Sequence, residues 1–463
     1  MTEFSGRYRA GVLAMLMLAY TFSFIDRTII GIVAQPIKAD LKLTDAQLGW
    51  LGGLSFALLY TALGVPIARL AERRNRVNII AAAIVVWSGF TAACGLATSY
   101  VALLAMRVGV GVGEAGLSPP AHSLISDYYP PRKRASALAV YSLGIPLGMM
   151  FGAAAGGWIA QNISWRAAFV IVGLPGILVA IALKLFVREP PRGWSEGGWS
   201  EGGWSERAVD DSPPPRLSAV AARLFGRWAL VNITLGITVA SFAAYGMAQY
   251  APAYLLRNFP LDLTQVGLIT GIVAGVSNAT GLLLGGVLTD RIGRRRPRGY
   301  ALVPAAGLAL ATPLYVLAFT RDTWPAMAAC WLAAGVLHYV YLGPTFAAVQ
   351  NAFGVRMRAS AAALLLFTLN IVALGFGPPF TGWAIDQFAQ AAWTGSGLFA
   401  TACPGGAAAE GAGAVAQAAC KTALAQGTRS GMVVSVLLFA WAAVHYLLAA
   451  ITLPKDLKIR PEV

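Results

Sequence analysis

The chain has 463 residues, of which 57% are hydrophobic and only 12% charged, with a formal net charge of +15. A soluble protein of this length carries about 25% charged residues, so the composition excludes an ordinary soluble domain and points to a polytopic helical membrane protein. The positive charge says little as a total; where it falls along the chain gives it meaning.

The first apolar run covers 10–37. It is too long for the hydrophobic region of a signal peptide and lacks a small-residue cleavage site, so it is expected to remain as the first span. In its middle stands "YTFSFIDRTIIG", with Asp26 and Arg27 adjacent. Each costs about 2.5–3.5 kcal/mol at a helix centre in hydrocarbon on insertion scales. Five further runs follow at 46–70, 77–98, 100–128, 135–160 and 165–186. A polar segment, 188–227, then contains "GWSEGGWSEGGWSE" and "DSPPPR", a Gly/Ser/Pro density that favours a flexible linker. Six more runs occupy 228–256, 263–290, 299–319, 324–353, 359–385 and 431–453. The expected architecture is an all-α membrane protein of twelve transmembrane helices in two six-helix halves, 1–187 and 228–463, joined by the linker 188–227. A long outer loop, 387–429, holds Cys403 and Cys420, which a disulfide would join on an oxidising side. Cys94 and Cys330 fall in spans and read as packing residues.

Alternate loops are basic. One side collects 25 of the 35 Lys and Arg residues, including Arg7 and Arg9, the 69–76 loop, Arg132 to Arg134, the linker, the 291–298 loop, Arg356, Arg358 and the C-terminal tail. Basic loops mark the cytoplasmic face, so both termini are expected inside the cell (inner) membrane. The charge is a topology signal rather than a sign of nucleic-acid binding.

The halves repeat. "RASALAV" from Arg134 matches "RASAAAL" from Arg358 at an offset of 224, "GGWIAQ" from Gly156 matches "TGWAID" from Thr381 at 225, and "AERRNR" from Ala71 matches "TDRIGR" from Thr289 at 218. Duplicated six-helix halves are a transporter architecture with the substrate site at midplane between them. These residues resemble the major facilitator superfamily, whose hallmark loop reads Gly-x-x-x-Asp-Arg-x-Gly-Arg-Arg. The second half carries it as Gly286, Asp290, Arg291, Gly293, Arg294 and Arg295; the first half departs from it with Ala68, Glu72 and Asn75. The resemblance implies the major facilitator fold and a cytoplasmic gate built from Glu72, Arg73, Arg76, Asp290, Arg291 and Arg294.

The fourth span carries "MRVGVGVGEAGLSPP". Arg107 and Glu114 lie two helical turns apart and face nearly the same way. Gly111, Gly113 and Gly116 match a nucleotide-binding spacing, but no strand precedes them; Gly109 and Gly113 instead make a small-xxx-small packing surface. "FIDR" together with "R-x-x-x-G-x-G-E-A" resembles the Spinster branch of the superfamily, which moves lysolipids, including sphingosine phosphate and lysophospholipids, with proton coupling the usual proposal. The resemblance implies that Asp26 and Glu114 exchange protons, and that Arg107 and Arg27 either hold them or bind a phosphate headgroup. Arginine stays cationic at any relevant pH, while a carboxylate poised between burial and a nearby cation can change its charge.

The 224 offset maps Glu114 onto His338, which either joins a proton path or is a hydrogen-bonded structural residue. Tyr245, Tyr250, Asn278, Tyr339 and Asn370 are candidate cavity-lining residues. Pro and Gly in "SLGIPLGMMFG" and "GFGPPFTG" are expected to bend the fifth and eleventh spans. Three His in all, with no Ser/His/Asp or metal-ligand constellation, argue against an enzyme, a metal site or a cofactor. The expected function is proton-coupled, alternating-access transport of an amphipathic lipid. The competing readings are an exporter or exchanger of hydrophobic organic ions or drugs, and a membrane sensor that no longer transports. The expected partners are the lipid bilayer, a small amphipathic substrate and protons, with the chain acting as a monomer.

Overall fold

A computed structural model describes residues 4–192, 194, 217–293, 296–353, 357–409 and 411–456. Twelve helices are long and apolar enough to cross a membrane, and the described residues contain no strand. The fold class expected from hydropathy is therefore the one observed.

In chain order the helices are α1 (Gly6–Ile32), α2 (Ala34–Leu41), α3 (Asp45–Gly52), α4 (Leu54–Arg73), α5 (Arg76–Cys94), α6 (Tyr100–Glu114), α7 (Ser118–Tyr128), α8 (Pro131–Ser142), α9 (Gly144–Asn162) and α10 (Trp165–Phe186). After the linker come α11 (Leu217–Gly226), α12 (Trp228–Asn258), α13 (Leu263–Gly293), α14 (Gly299–Phe319), α15 (Trp324–Tyr339), α16 (Leu342–Ala352), α17 (Arg358–Leu369), a π-helical turn (Asn370–Leu374), α18 (Gly375–Ala392), α19 (Phe399–Ala402) and α20 (Ala414–Asp456). Polar side chains start several of them. Ser5, Asn75, Ser99 and Ser164 each accept a first-turn N–H, and Thr44 with Gln47 forms a reciprocal capping box.

Several spans are interrupted where the sequence carries Gly or Pro. The fourth breaks at 115–117, directly after Glu114, and the tenth breaks at 340–341, two residues after His338. The fifth breaks at Leu143, ahead of "GIPLG", and the eleventh contains the π turn ahead of "GFGPP". The interruption of the fourth and tenth helices at equivalent places shows the sequence repeat in the backbone itself.

The chain divides into two compact units, residues 1–33 with 55–213 and residues 34–54 with 214–463. This differs from a simple division at the linker: α2 and α3 belong with the second unit. In the first unit α5 packs on α10, and α1 on α9. A Cβ at Gly113 would lie 2.5 Å from the backbone nitrogen of Trp87, and Gly109 sits on the Phe90 ring, so these glycines let α6 approach α5. In the second unit α20 packs against α12, α14 and α18.

Two boundaries differ from the hydropathy reading. The last helix starts at Ala414, inside the expected outer loop, and runs for 43 residues. Cys420 lies on it and is disulfide-bonded to Cys403, with Cα atoms 5.8 Å apart. The linker is not uniformly irregular either, since α11 is helical; residues 195–216 lie outside the described residues.

Candidate functional site: buried charges in each unit

Consecutive positions on a helix point about 100° apart, so Asp26 and Arg27 take different surroundings although they are neighbours in sequence. Arg27 Nε donates to Glu114 Oε2 at 2.5 Å, and the same oxygen accepts from Ser23 Oγ at 2.9 Å. Ser23 lies one turn before Arg27, so α1 presents both donors to the end of α6. The Arg27 guanidinium also lies 4.6–5.0 Å from the ring centres of Phe24, Phe56 and Tyr60. Such stacking suits a planar cation. Arg27 keeps 22% of its side chain exposed, whereas the Glu114 side chain has none. Glu114 Oε1 is buried and holds no hydrogen bond.

Asp26 faces the Trp87 indole and the Thr91 hydroxyl of α5 and lies within electrostatic reach of Glu114 and Arg107. It is buried and makes no ion pair among the described residues. Arg107, also buried, sits over the Phe56 ring at 5.6 Å. The structure thus brings the four expected charges into one bundle but divides them: Arg27 holds Glu114 and keeps accessible surface, while Asp26 and Arg107 lie inside. Of the two arginines, Arg27 is the one open to a ligand.

The expected gate residues do not behave alike. Arg76 is fully buried: Nε donates to Glu189 Oε1 at 2.6 Å, and Nη1 to Asp127 Oδ2 at 2.5 Å and to Ser123 Oγ at 2.8 Å. The second Glu189 oxygen accepts the backbone N–H groups of Arg76 and Val77, where a helix N-terminus favours an anion. Arg76 is therefore a tie between α5, α7 and the chain after α10. Glu72, Arg73 and Arg291 are exposed. Arg294 and the side chain of Asp290 lie outside the described residues.

A second charge cluster, unmarked in the sequence reading, occupies the second unit. Asp45, at the start of α3, accepts from Lys38 Nζ on one oxygen and from Arg257 Nη2 on the other, both at 2.7 Å. Arg257 further donates to Gln35 Oε1 at 2.8 Å and Thr428 Oγ1 at 2.9 Å. Asp386 of α18 accepts the backbone N–H groups of Asp45 and Ala46 at 3.0 and 2.8 Å, capping α3. Burial pulls the Lys38 ammonium below the ordinary lysine range, against the opposing attraction of Asp45. Tyr250, expected to line a cavity, is instead completely buried and donates its hydroxyl to the Asp45 carbonyl.

His338 is also buried, in an aromatic cluster with Tyr339, Tyr341 and Phe439 at ring separations of 4.5, 5.5 and 4.5 Å. Its Nδ1 pairs with the Tyr315 hydroxyl at 3.2 Å, and no carboxylate among the described residues pairs with it. The repeat therefore places an aromatic-packed imidazole where the first half has its ion-paired acid. Asn278 is half-buried beside Tyr339, and Tyr245 and Asn370 are half-buried on α12 and at the start of the π turn.

The sequence profile described as Major Facilitator Superfamily matches residues 16–364. The chain belongs to the major facilitator superfamily. Within that family it resembles the Spinster homologs. The crystal structure of a bacterial homolog to the human lysosomal transporter Spinster, in an inward-facing and unoccupied conformation, matches with a TM-score of 0.87. It is 36% identical and covers 99% of this chain and 100% of that one. An MFS-type efflux pump of Mycolicibacterium smegmatis is 30% identical over 81% of this chain and 83% of its own. A hexuronate transporter of Bacillus subtilis is 26% identical over 81% and 88%. A superfamily member with this fold is a multi-pass membrane transporter, not an enzyme.

Proposed function

We propose that this superfamily member is a proton-coupled, alternating-access transporter of an amphipathic lipid such as a lysophospholipid or a sphingosine-phosphate-like molecule. The observation that carries the reading is Arg27, a guanidinium with accessible surface, held by one oxygen of a buried glutamate and stacked among three rings. Phosphate takes a guanidinium in a two-pronged geometry. A headgroup that takes Arg27 from Glu114 leaves a buried carboxylate without its cation, and that carboxylate then favours its protonated form. Proton and substrate are thereby linked, and the linkage is reciprocal: each raises the affinity for the other. Asp26, the second carboxyl of the bundle, is the other proton-exchanging group.

The orientation follows from the charges. The basic loops are assigned to the cytoplasm of a cell (inner) membrane, with both termini inside. The Cys403–Cys420 disulfide supports this, since it belongs to the opposite, oxidising side. A second reading, export of hydrophobic organic ions, draws on the likeness to the mycobacterial efflux pump.

The test uses purified protein in liposomes under an imposed pH gradient, offered labelled lysophospholipid, a cationic dye and a labelled hexuronate. Gradient-driven lysophospholipid movement that Glu114→Gln makes insensitive to pH supports the proposal. Movement of dye or hexuronate without lipid overturns the lipid assignment, and full pH dependence in both Asp26→Asn and Glu114→Gln overturns the proton role.

A further inference from the structure

Asp26 poses a problem that its neighbours in α5 answer. Threonines in this protein usually spend their hydroxyl on their own helix: Thr21, Thr28, Thr234, Thr270, Thr312 and Thr345 each donate to the carbonyl four residues earlier. Thr91 does not. Its Oγ1 is buried and makes no hydrogen bond of normal geometry among the described residues, and the same holds for Trp87 Nε1 one turn away and for Asp26 Oδ1. Trp87 and Thr91 are four residues apart, so both present their polar atoms to the same side of α5, and Asp26 faces both. Native interiors rarely leave several such groups unmatched in one place.

We propose that Trp87 and Thr91 are positioning residues for Asp26, two donors reserved for its carboxylate that fix the pH at which it exchanges its proton. This inference rests on the proton-coupled reading above. Trp87 Nε1–H can only donate, so it binds the ionised carboxylate more strongly than the protonated acid, whose hydroxyl it cannot serve as acceptor. Thr91 can serve either form by turning its hydroxyl. Together they favour the anion, whereas the surrounding hydrocarbon favours the acid. The other groups around Asp26 are the Arg107 guanidinium and Glu114 carboxyl of α6 and the Cys94 thiol of α5. Arg27, on α1 itself, is committed to Glu114. The helix α9 carries no titratable residue, and those of α10 engage elsewhere, Arg166 with the Ala97 carbonyl and Lys184 with Asn78. Ser88 has its Oγ against Gly176 of α10 and so stands outside the pair.

The test follows the infrared carboxyl band of the purified, full-length protein as a function of pH, assigned by its loss in Asp26→Asn. Thr91→Val and Trp87→Phe are each expected to move the midpoint of the Asp26 band upward by about one pH unit, a tenfold gain in proton affinity. Thr91→Ser, which keeps the hydroxyl, is expected to hold the original midpoint, as is Ser88→Ala. Thr91→Val is close in shape to the parent, which keeps the test open if the fully buried Trp87 tolerates no replacement. An unmoved midpoint in Thr91→Val overturns this inference alone. The absence of any Asp26 band that titrates overturns it together with the proton role of Asp26.

Discussion

The charge clusters of the two units are built from similar parts and finished differently. Around Asp45 both carboxylate oxygens are met: one cation on each, a second carboxylate on the N-terminus of α3, and Gln35 and Thr428 on two further Arg257 nitrogens. Among the described residues, one oxygen of Glu114 takes two donors and the other takes none, Asp26 has no cation in contact, and Arg27 keeps accessible surface. A completed cluster resists change, because breaking it strands a buried charge. An incomplete one has valences left for a proton or a phosphate. The difference teaches that the residual hydrogen-bonding capacity of a buried charge, not its burial, separates the proposed exchange site from a structural tie.

Breaking the completed cluster should have the largest effect. Asp45→Asn leaves Lys38 and Arg257 buried with like charge and is expected to cost about 3–5 kcal/mol, read as a lowered unfolding midpoint in detergent. Next comes the covalent tie of the same unit. Replacing Cys403 and Cys420 by Ser reopens a loop of 17 residues and is expected to cost about 3 kcal/mol, also visible as faster proteolysis between α18 and α20. The incomplete cluster should respond in the opposite sense, with little loss of stability and a large loss of coupling. Glu114→Gln keeps an acceptor for Arg27 and is expected to cost about 1–2 kcal/mol, while transport in liposomes loses its pH dependence.

The smallest effect is a slope. Because burial holds Lys38 below the ordinary lysine value, the folded chain binds fewer protons than the unfolded chain between those two values, so stability rises with pH across that window. Lys38→Met should flatten that rise in unfolding curves taken at alkaline pH; an unchanged slope would show that Lys38 titrates alike in both states.

The two clusters also differ in how legible they are in the sequence. Asp26, Arg27, Arg107 and Glu114 stand out because each interrupts an apolar run, where a charge needs a reason. Lys38, Asp45 and Arg257 fall at span ends, where charges are ordinary, so nothing local marks them as buried; only the packing of α2 and α3 on the second unit does so. Hydropathy marked all twelve spans and residue matches at fixed offsets marked the repeat, but hydropathy misplaced the start of α20. The stretch "AVAQAACKTALAQGTRSG" is rich in good helix formers yet too polar to score as a span. The split between Asp26 and Arg27 was hidden for a geometric reason, since adjacency along a helix means divergence around it.

The length of α20 has a practical consequence. Its 43 residues extend about 65 Å along the axis, while the hydrocarbon core of a bilayer is about 30 Å thick. The helix is therefore about twice as long as that core is thick, and its N-terminal turns, tied through Cys420 to Cys403 and packed with Ala389 and Phe399, form a braced post. A chain of 48.5 kDa offers little mass outside the membrane for image alignment. A binder raised against that post, or a domain fused through the loop ahead of Ala414, would inherit a fixed orientation and serve as a fiducial marker for imaging the transporter in lipid.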